Sequence, residues 1–147
     1  MVNSFESLPV GLFSEILALE HLVRGRLSKA LPKGMALSHF VVLNHLAHVG
    51  SEKSPAQLAA SFNLTRGAMT NTLSKLEAAG YIHIRPDWED ARRKQVVIST
   101  SGRAARDTAF TEIAPFLRAV TESVGETSLK AALPVLRDMR IGLASLD

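Results

Sequence analysis

The stretch from Ser54 to Ser99 limits the possible folds more than any other part of the sequence. Ser54 is followed by Pro55 and, three residues after the serine, by Gln57. A serine that caps a first turn, a proline at the first helical position and a glutamine that reaches back mark a helix start. Leu58, Ala59 and Phe62 give that helix a short apolar face. Asn63-Leu64 then makes a tight turn, and Thr65 caps a second helix with an inward stripe of Ala68, Met69, Leu73 and Leu76, closed by Gly80. Tyr81 to Arg85 alternates as a strand does. Pro86 to Arg93 is polar, and Lys94 to Ser99 reads as a returning strand. A short helix, a turn, a second helix and a long-tipped hairpin together predict a winged helix-turn-helix.

The flanking sequence is helical. Leu8, Leu12, Ile16, Leu19, Val23 and Leu27 recur at steps of three and four, predicting a helix from about Ser7 to Leu31. Leu31-Pro32-Lys33-Gly34 ends it. Ser38 is expected to cap a helix with Phe40, Leu43, Leu46 and Ala47, ending at Gly50. Thr100-Ser101-Gly102 opens a long helix carrying Phe110, Ile113, Phe116, Leu117, Val120 and Val124, which Pro115 is expected to kink or divide. A last helix from about Ser128 carries Leu129, Leu133, Leu136, Met139 and Leu143, with Pro134 inside it.

The expected fold is mainly α with a small β-wing. A winged helix-turn-helix core at about 36–99 is flanked by N- and C-terminal dimerisation helices at about 7–31 and 100–146, in one domain spanning 1–147. The end helices are too apolar for a small winged module to cover, and two-fold homodimers are the commonest remedy. Leu8, Leu12, Phe116, Leu136 and Met139 are expected near such an interface.

The second helix of the winged unit is built to face outward. Thr65, Arg66, Gly67, Thr70, Asn71, Ser74 and Lys75 stand on its outer side, with no carboxylate before Glu77. A major groove admits one α-helix, and a polar outer face near its N-terminus reaches base edges and phosphates. Such a face is also what a merely solvated helix presents. The hairpin tip adds to the case with Asp90-Ala91-Arg92-Arg93-Lys94, three cations in a row beside a carboxylate. A projecting arginine suits a narrow, negatively charged minor groove. The expected DNA-contacting set is Ser54, Thr65, Arg66, Gly67, Thr70, Asn71, Ser74, Lys75, Asp90, Arg92, Arg93 and Lys94.

At these residues the sequence resembles the MarR family, the multiple-antibiotic-resistance regulators. The run from Asp87 to Ser99 looks like that family's wing, with its D-x-R core on Asp90 and Arg92 and Ser-Thr-Ser-Gly-Arg following. Ala68-Met69-Thr70-Asn71 lies where the family has its recognition stretch. The resemblance implies a homodimer made by the first and last two helices, an inverted-repeat operator, and usually a repressor released by a small ligand. Asn71 stands where many members have Arg, and Asn prefers adenine where Arg prefers guanine. Trp88 is unusual in such a wing. It can pack beneath the wing or stack on sugar and base, and a lone Trp is more often a packing residue.

Other classes fit less well. The chain of 147 residues has no cysteine, so disulfides, thiolate metal sites and thiol redox sensing are excluded. No apolar run reaches the ~20 residues of a membrane span, and no secretory signal is visible, so a cytoplasmic protein without membrane contact is expected. His45 and His48, three apart in one helix, lack a third ligand and any metal-binding motif, so no metal site is expected. No phosphate loop, nucleophile elbow or dinucleotide fingerprint appears, so neither an enzyme nor a cofactor is expected. The alternative is a winged-helix protein–protein adaptor that does not touch DNA, although an adaptor has no need of a basic wing tip. The expected partners are double-stranded DNA, a second copy of the chain, and a small aromatic or anionic effector. Its pocket would draw on Phe13, His21, Arg24, His39, Phe40 and Phe110.

Overall fold

The computed structural model describes residues 4–49, 53–90 and 92–146. Gly50, expected to end the second helix, and Ala91 at the wing tip lie outside the described residues. Chain order is α1 (Ser4–Ala30), α2 (Leu37–His48), α3 (Pro55–Ser61), α4 (Arg66–Ala78), β1 (Ile82–Pro86), β2 (Lys94–Ile98), α5 (Thr100–Val124) and α6 (Glu126–Ala144). The mainly helical fold with a two-stranded wing is as expected.

Local chemistry accounts for the boundaries. The Ser54 hydroxyl accepts from the Gln57 N–H at 3.1 Å, and the Gln57 side chain accepts from the Ser54 N–H at 3.0 Å. This reciprocal pair starts α3, with Pro55 in its first turn. The turn into α4 places Asn63 at φ 51°, a left-handed conformation that Asn tolerates better than most residues. Thr65 caps α4 by accepting from Ala68 N–H at 3.1 Å. At the other end, Gly80 N–H donates to the Glu77 carbonyl and Tyr81 N–H to that of Leu76, with Gly80 at φ 78°. This paired closure needs a positive φ at the residue after the cap, which glycine supplies without a Cβ clash.

Two local expectations are corrected. The cap of α2 is Ala36, not Ser38; the helix begins at Leu37, and the His39 ring nitrogen Nδ1 accepts from the Ala36 N–H at 3.4 Å. Ala68 is exposed, and Thr72 takes its place in the buried stripe with Met69, Leu73 and Leu76. The helical period puts position 72 on the same arc as 69, 73 and 76, whereas 68 falls at its edge. Of the two outcomes expected at Pro115, division does not occur: α5 runs on through it, as α6 does through Pro134. Each proline leaves a carbonyl four residues earlier without its helical N–H donor, and Thr111 and Lys130, which carry those carbonyls, are exposed to water.

β1 and β2 pair antiparallel with Ile82 opposite Ile98 and Ile84 opposite Val96. The segment before α3 joins them through one bridge, in which Val96 N–H donates to the Lys53 carbonyl at 2.7 Å. Two cores result. The larger gathers Val42, Leu43 and Leu46 of α2, Leu58 of α3, Met69, Leu73 and Leu76 of α4, and Ile82, Val96 and Ile98 of the wing. The smaller holds Leu31, Phe40, Ala109 and Ile113, so α2 is sandwiched between the winged unit and α5. Arg106 reinforces that contact: its Nε donates to Asn44 Oδ1 at 3.0 Å, and its guanidinium lies over Phe110, 5.2 Å from the ring centroid.

The strand β2 runs into α5 without a linker. Ser99 N–H donates to the Tyr81 carbonyl, and its hydroxyl donates to the Gly80 carbonyl at 2.6 Å while accepting from Gly102 N–H at 2.9 Å. Gly102 is buried so closely that a Cβ there would lie 2.0 Å from the Tyr81 carbonyl oxygen.

The end helices remain largely uncovered. Among the described residues, the exposed large apolar side chains all stand on α1, α5 or α6 apart from Val41, Leu64, Trp88 and Leu146. Leu8 is 75% exposed, Leu12 and Leu136 are exposed, and Phe116 and Met139 are half-buried. No described residue of α6 is buried.

Candidate nucleic-acid interface

The start of α3, the outer face of α4 and the wing tip enclose one open concavity of about 760 Å³. Ser54, Gln57, Arg66, Thr70, Asp87, Arg92, Arg93, Lys94 and Gln95 are among its lining residues. Arg66 and Thr70 are one turn apart on α4 and share the face that looks into it. Gly67, Asn71 and Ser74 form the adjacent exposed row. A Cβ on Gly67 would meet nothing within 4 Å, so this turn of the helix stands open to a partner.

The wing tip is held by its own backbone. Asp87 N–H donates to the Arg93 carbonyl at 3.0 Å, and Arg93 N–H donates to that of Asp90 at 2.9 Å. Asp87 Oδ1 accepts from the Glu89 N–H at 3.0 Å. Asp90 Oδ1 accepts from the Arg92 N–H at 3.0 Å and from its Nε at 3.4 Å, while Asp90 Oδ2 lies 3.9 Å from Arg93 Nε. The Arg92 side chain is nevertheless 94% exposed. An ion pair so open to solvent adds little to stability, so its structural effect is to orient the guanidinium. The tip therefore presents oriented cations beside a helix N-terminus, an arrangement suited to a polyanion with a groove.

Lys75 stands apart from this set. It lines a second concavity of about 620 Å³ with Lys33, Met35, His39 and Tyr81, beneath α5. Nine residues separate Lys75 from Arg66, which puts the two on opposite sides of α4. Burial, and secondarily the Lys75 charge, hold the His39 pKa below its usual value. The unfolded chain therefore binds a proton at His39 before the folded chain does. Stability is expected to be unaffected above pH ~6.5, the ordinary His pKa, and to fall as pH drops from there to the depressed folded value. Urea midpoints between pH 7.5 and 5 check this, and His39→Gln is expected to flatten the acid side of the profile.

The residues expected to converge on an effector do not come together within the chain. Phe40 is buried in the smaller core, Phe110 lies under Arg106, and Phe13 lines a groove with Leu136 and Met139 of α6. His21 is exposed, and Arg24 is paired with Glu20 one turn earlier on the same helix. Only the C-terminal end of α1, from Leu27, packs on the smaller core, so its earlier residues are carried away from His39. Trp88 is also corrected: it is 96% exposed at the wing tip and packs under nothing. His45 sets its ring edge-on to Phe62 at 5.2 Å, and His48 Nδ1 bonds the Asn44 carbonyl. Among the described residues no three His or acidic side chains converge as a metal site would require.

Sequence reasoning missed Gln57, Asp87 and Gln95 as lining residues. The signal for Gln95 was available, because strand alternation turns it away from the buried Val96.

The model of the MarR family matches residues 33–93, which span α2, the helix-turn-helix and most of the wing. Over these residues the chain is similar to the MarR family. Solved structures agree along almost its whole length. A MarR/EmrR-family transcriptional regulator from Acinetobacter sp. ADP1 superposes with a TM-score of 0.80 at 18% identity, over 94% of this chain and 98% of that one. The transcriptional regulator BldR from Sulfolobus solfataricus gives 0.79 at 21% identity, over 93% and 99%. CouR from Rhodococcus jostii RHA1, solved bound to p-coumaroyl-CoA, gives 0.76 at 22%, over 84% and 87%. At these identities the likeness is one of fold. No curated protein sequence matches the chain. The chain shares the fold of these solved structures, and the concavity between α4 and the wing lies within its winged helix-turn-helix.

Proposed function

We propose that the protein is a homodimeric, sequence-specific DNA-binding repressor that recognises an inverted-repeat operator and is released by a small ligand. The observation that carries the reading is the concavity shared by Arg66 and Thr70 of α4 and Arg92, Arg93 and Lys94 of the wing. In this reading α4 enters the major groove, with Arg66, Thr70, Asn71 and Ser74 toward base edges and phosphates. Ser54 and Thr65 hold the helix ends, and Gly67 lets the backbone approach. Arg92, oriented by Asp90, enters the adjoining minor groove, with Arg93 and Lys94 against phosphate. The protein would act in the cytoplasm, on DNA, without catalysis.

The uncovered apolar faces of α1, α5 and α6 support dimerisation through these helices. Light scattering at micromolar concentration is expected to give twice the chain mass; a monomer overturns this part. The effector reading rests on the concavity lined by Lys33, His39 and Lys75, whose two lysines suit an anionic ligand. CouR, a structural neighbour, holds an acyl-CoA.

Selection of bound sites from random duplex DNA, repeated at rising salt, tests the whole. An enriched inverted repeat with half-sites about one helical turn apart, and affinity that falls steeply with salt, is the expected result. Weak binding with no enriched sequence overturns the regulator reading.

A further inference from the structure

The wing carries an aromatic residue that neither the fold nor the basic concavity uses. Trp88 is the only tryptophan in the chain, and at 96% exposure it makes almost no intramolecular contact. Its backbone is nonetheless fixed. Asp87 on one side closes the tip through the Arg93 carbonyl and accepts from the Glu89 N–H. The indole therefore projects from the same closed turn that holds Arg92, with the Asp87–Arg93 bond as their shared base.

We propose that Trp88 is a DNA-contacting residue, its indole packing on the deoxyribose wall of the minor groove beside Arg92. This rests on the DNA-binding reading above. The occupant is argued from charge: the residues on the same turn are Arg92 and Arg93, with Lys94 next, and all three line the concavity. A wing delivered to a polyanion by these cations brings its neighbour against the sugar faces, which are the apolar part of a groove. The indole offers them a broad flat surface, and its N–H is a donor in a groove edged by acceptors. Apolar and aromatic side chains placed this way add affinity with little dependence on sequence. Asp90 faces the Arg92 and Arg93 guanidiniums, whereas Asp87 accepts only from a backbone N–H and keeps its full charge, so Asp87 and Glu89 are the groups phosphate repels and the indole, not this acidic edge, makes the approach.

The single tryptophan makes the test direct. A 30-base-pair duplex carrying the site enriched from random DNA is titrated into the full-length protein, with binding followed by anisotropy of a label on the DNA. Tryptophan emission and its quenching by acrylamide are read on the same samples. The expected result is a several-fold drop in acrylamide quenching on saturation, with Trp88→Ala weakening binding about tenfold and Trp88→Phe retaining most of the affinity. Unchanged quenching in a saturated complex overturns the inference while leaving the DNA-binding reading in place. The same holds for a Trp88→Ala protein that binds as tightly as the original. A protein that binds no duplex at any salt overturns both. The exposed position leaves both cores untouched, so neither variant is expected to lose its fold.

Discussion

Replacing Arg92 by alanine is expected to weaken binding to the selected operator by about 1–3 kcal/mol, roughly 5- to 150-fold, while leaving thermal stability unchanged. The two halves of this expectation come from one observation. The Arg92 side chain is 94% exposed, and among the described residues its polar partner is Asp90. Its loss opens no cavity and strands no buried partner, so folding does not register it. In a groove the same guanidinium is desolvated, and its contacts disappear with it. Arg92→Lys separates shape from charge. It keeps the cation but loses the planar fork and the Nε–H that Asp90 holds, so a loss close to that of alanine indicates groove recognition. A loss near zero for lysine indicates phosphate contact only. Anisotropy titrations at several salt concentrations measure both, and an Arg92→Ala protein that binds DNA normally would remove the wing from the interface.

Among the described glycines, Gly102 is where a change to alanine is expected to have the largest effect on stability. The added Cβ would sit 2.0 Å from the Tyr81 carbonyl oxygen and 2.9 Å from Ile98 Cγ1. The first neighbour is backbone, and that carbonyl is held by Ser99 N–H, so it cannot swing aside as a flexible side chain would. Overpacking of this kind reaches about 3 kcal/mol, which for a chain of this length lowers Tm by about 6–12 °C. Gly67→Ala is the matched control. It lies inside α4 with open space around it, so the better helix propensity of alanine is expected to raise stability by up to ~1 kcal/mol. Thermal melts of the two variants should move in opposite directions, and a Gly102→Ala protein as stable as the parent would show that the joint yields.

Where the sequence was legible, short-range chemistry decided the structure. Ser54, Pro55 and Gln57 carry enough local information to place the start of α3, and Thr65 and Gly80 do the same for the two ends of α4. The Ala36 cap was hidden because no side chain there makes the capping bond, and Ser38 offered a false one two residues later. Trp88 defeated a rule about averages. A large aromatic is usually covered, but the tip holding it is closed by backbone bonds and the Asp87 and Asp90 carboxylates, with no apolar floor. The effector residues were chosen for their chemistry, and within one chain they stand apart because only the end of α1 from Leu27 packs on the smaller core, which its periodicity does not encode. The bridge from Lys53 to Val96 was equally invisible, since it uses main-chain atoms from a segment with no strand pattern.

The junction at Ser99 has a mechanical consequence. Because β2 becomes α5 through a clamp and not a linker, a tilt of the long helix is expected to carry the wing with it. α5 has 25 residues, so its axis is about 37 Å long. In a dimer hinged near the far end of that axis, the two reading heads behave as the jaws of a caliper. A tilt of about 10° displaces each jaw by about 6 Å, close to two base-pair steps of the duplex. Nothing in the jaws themselves has to change for the gauge to stop fitting its operator.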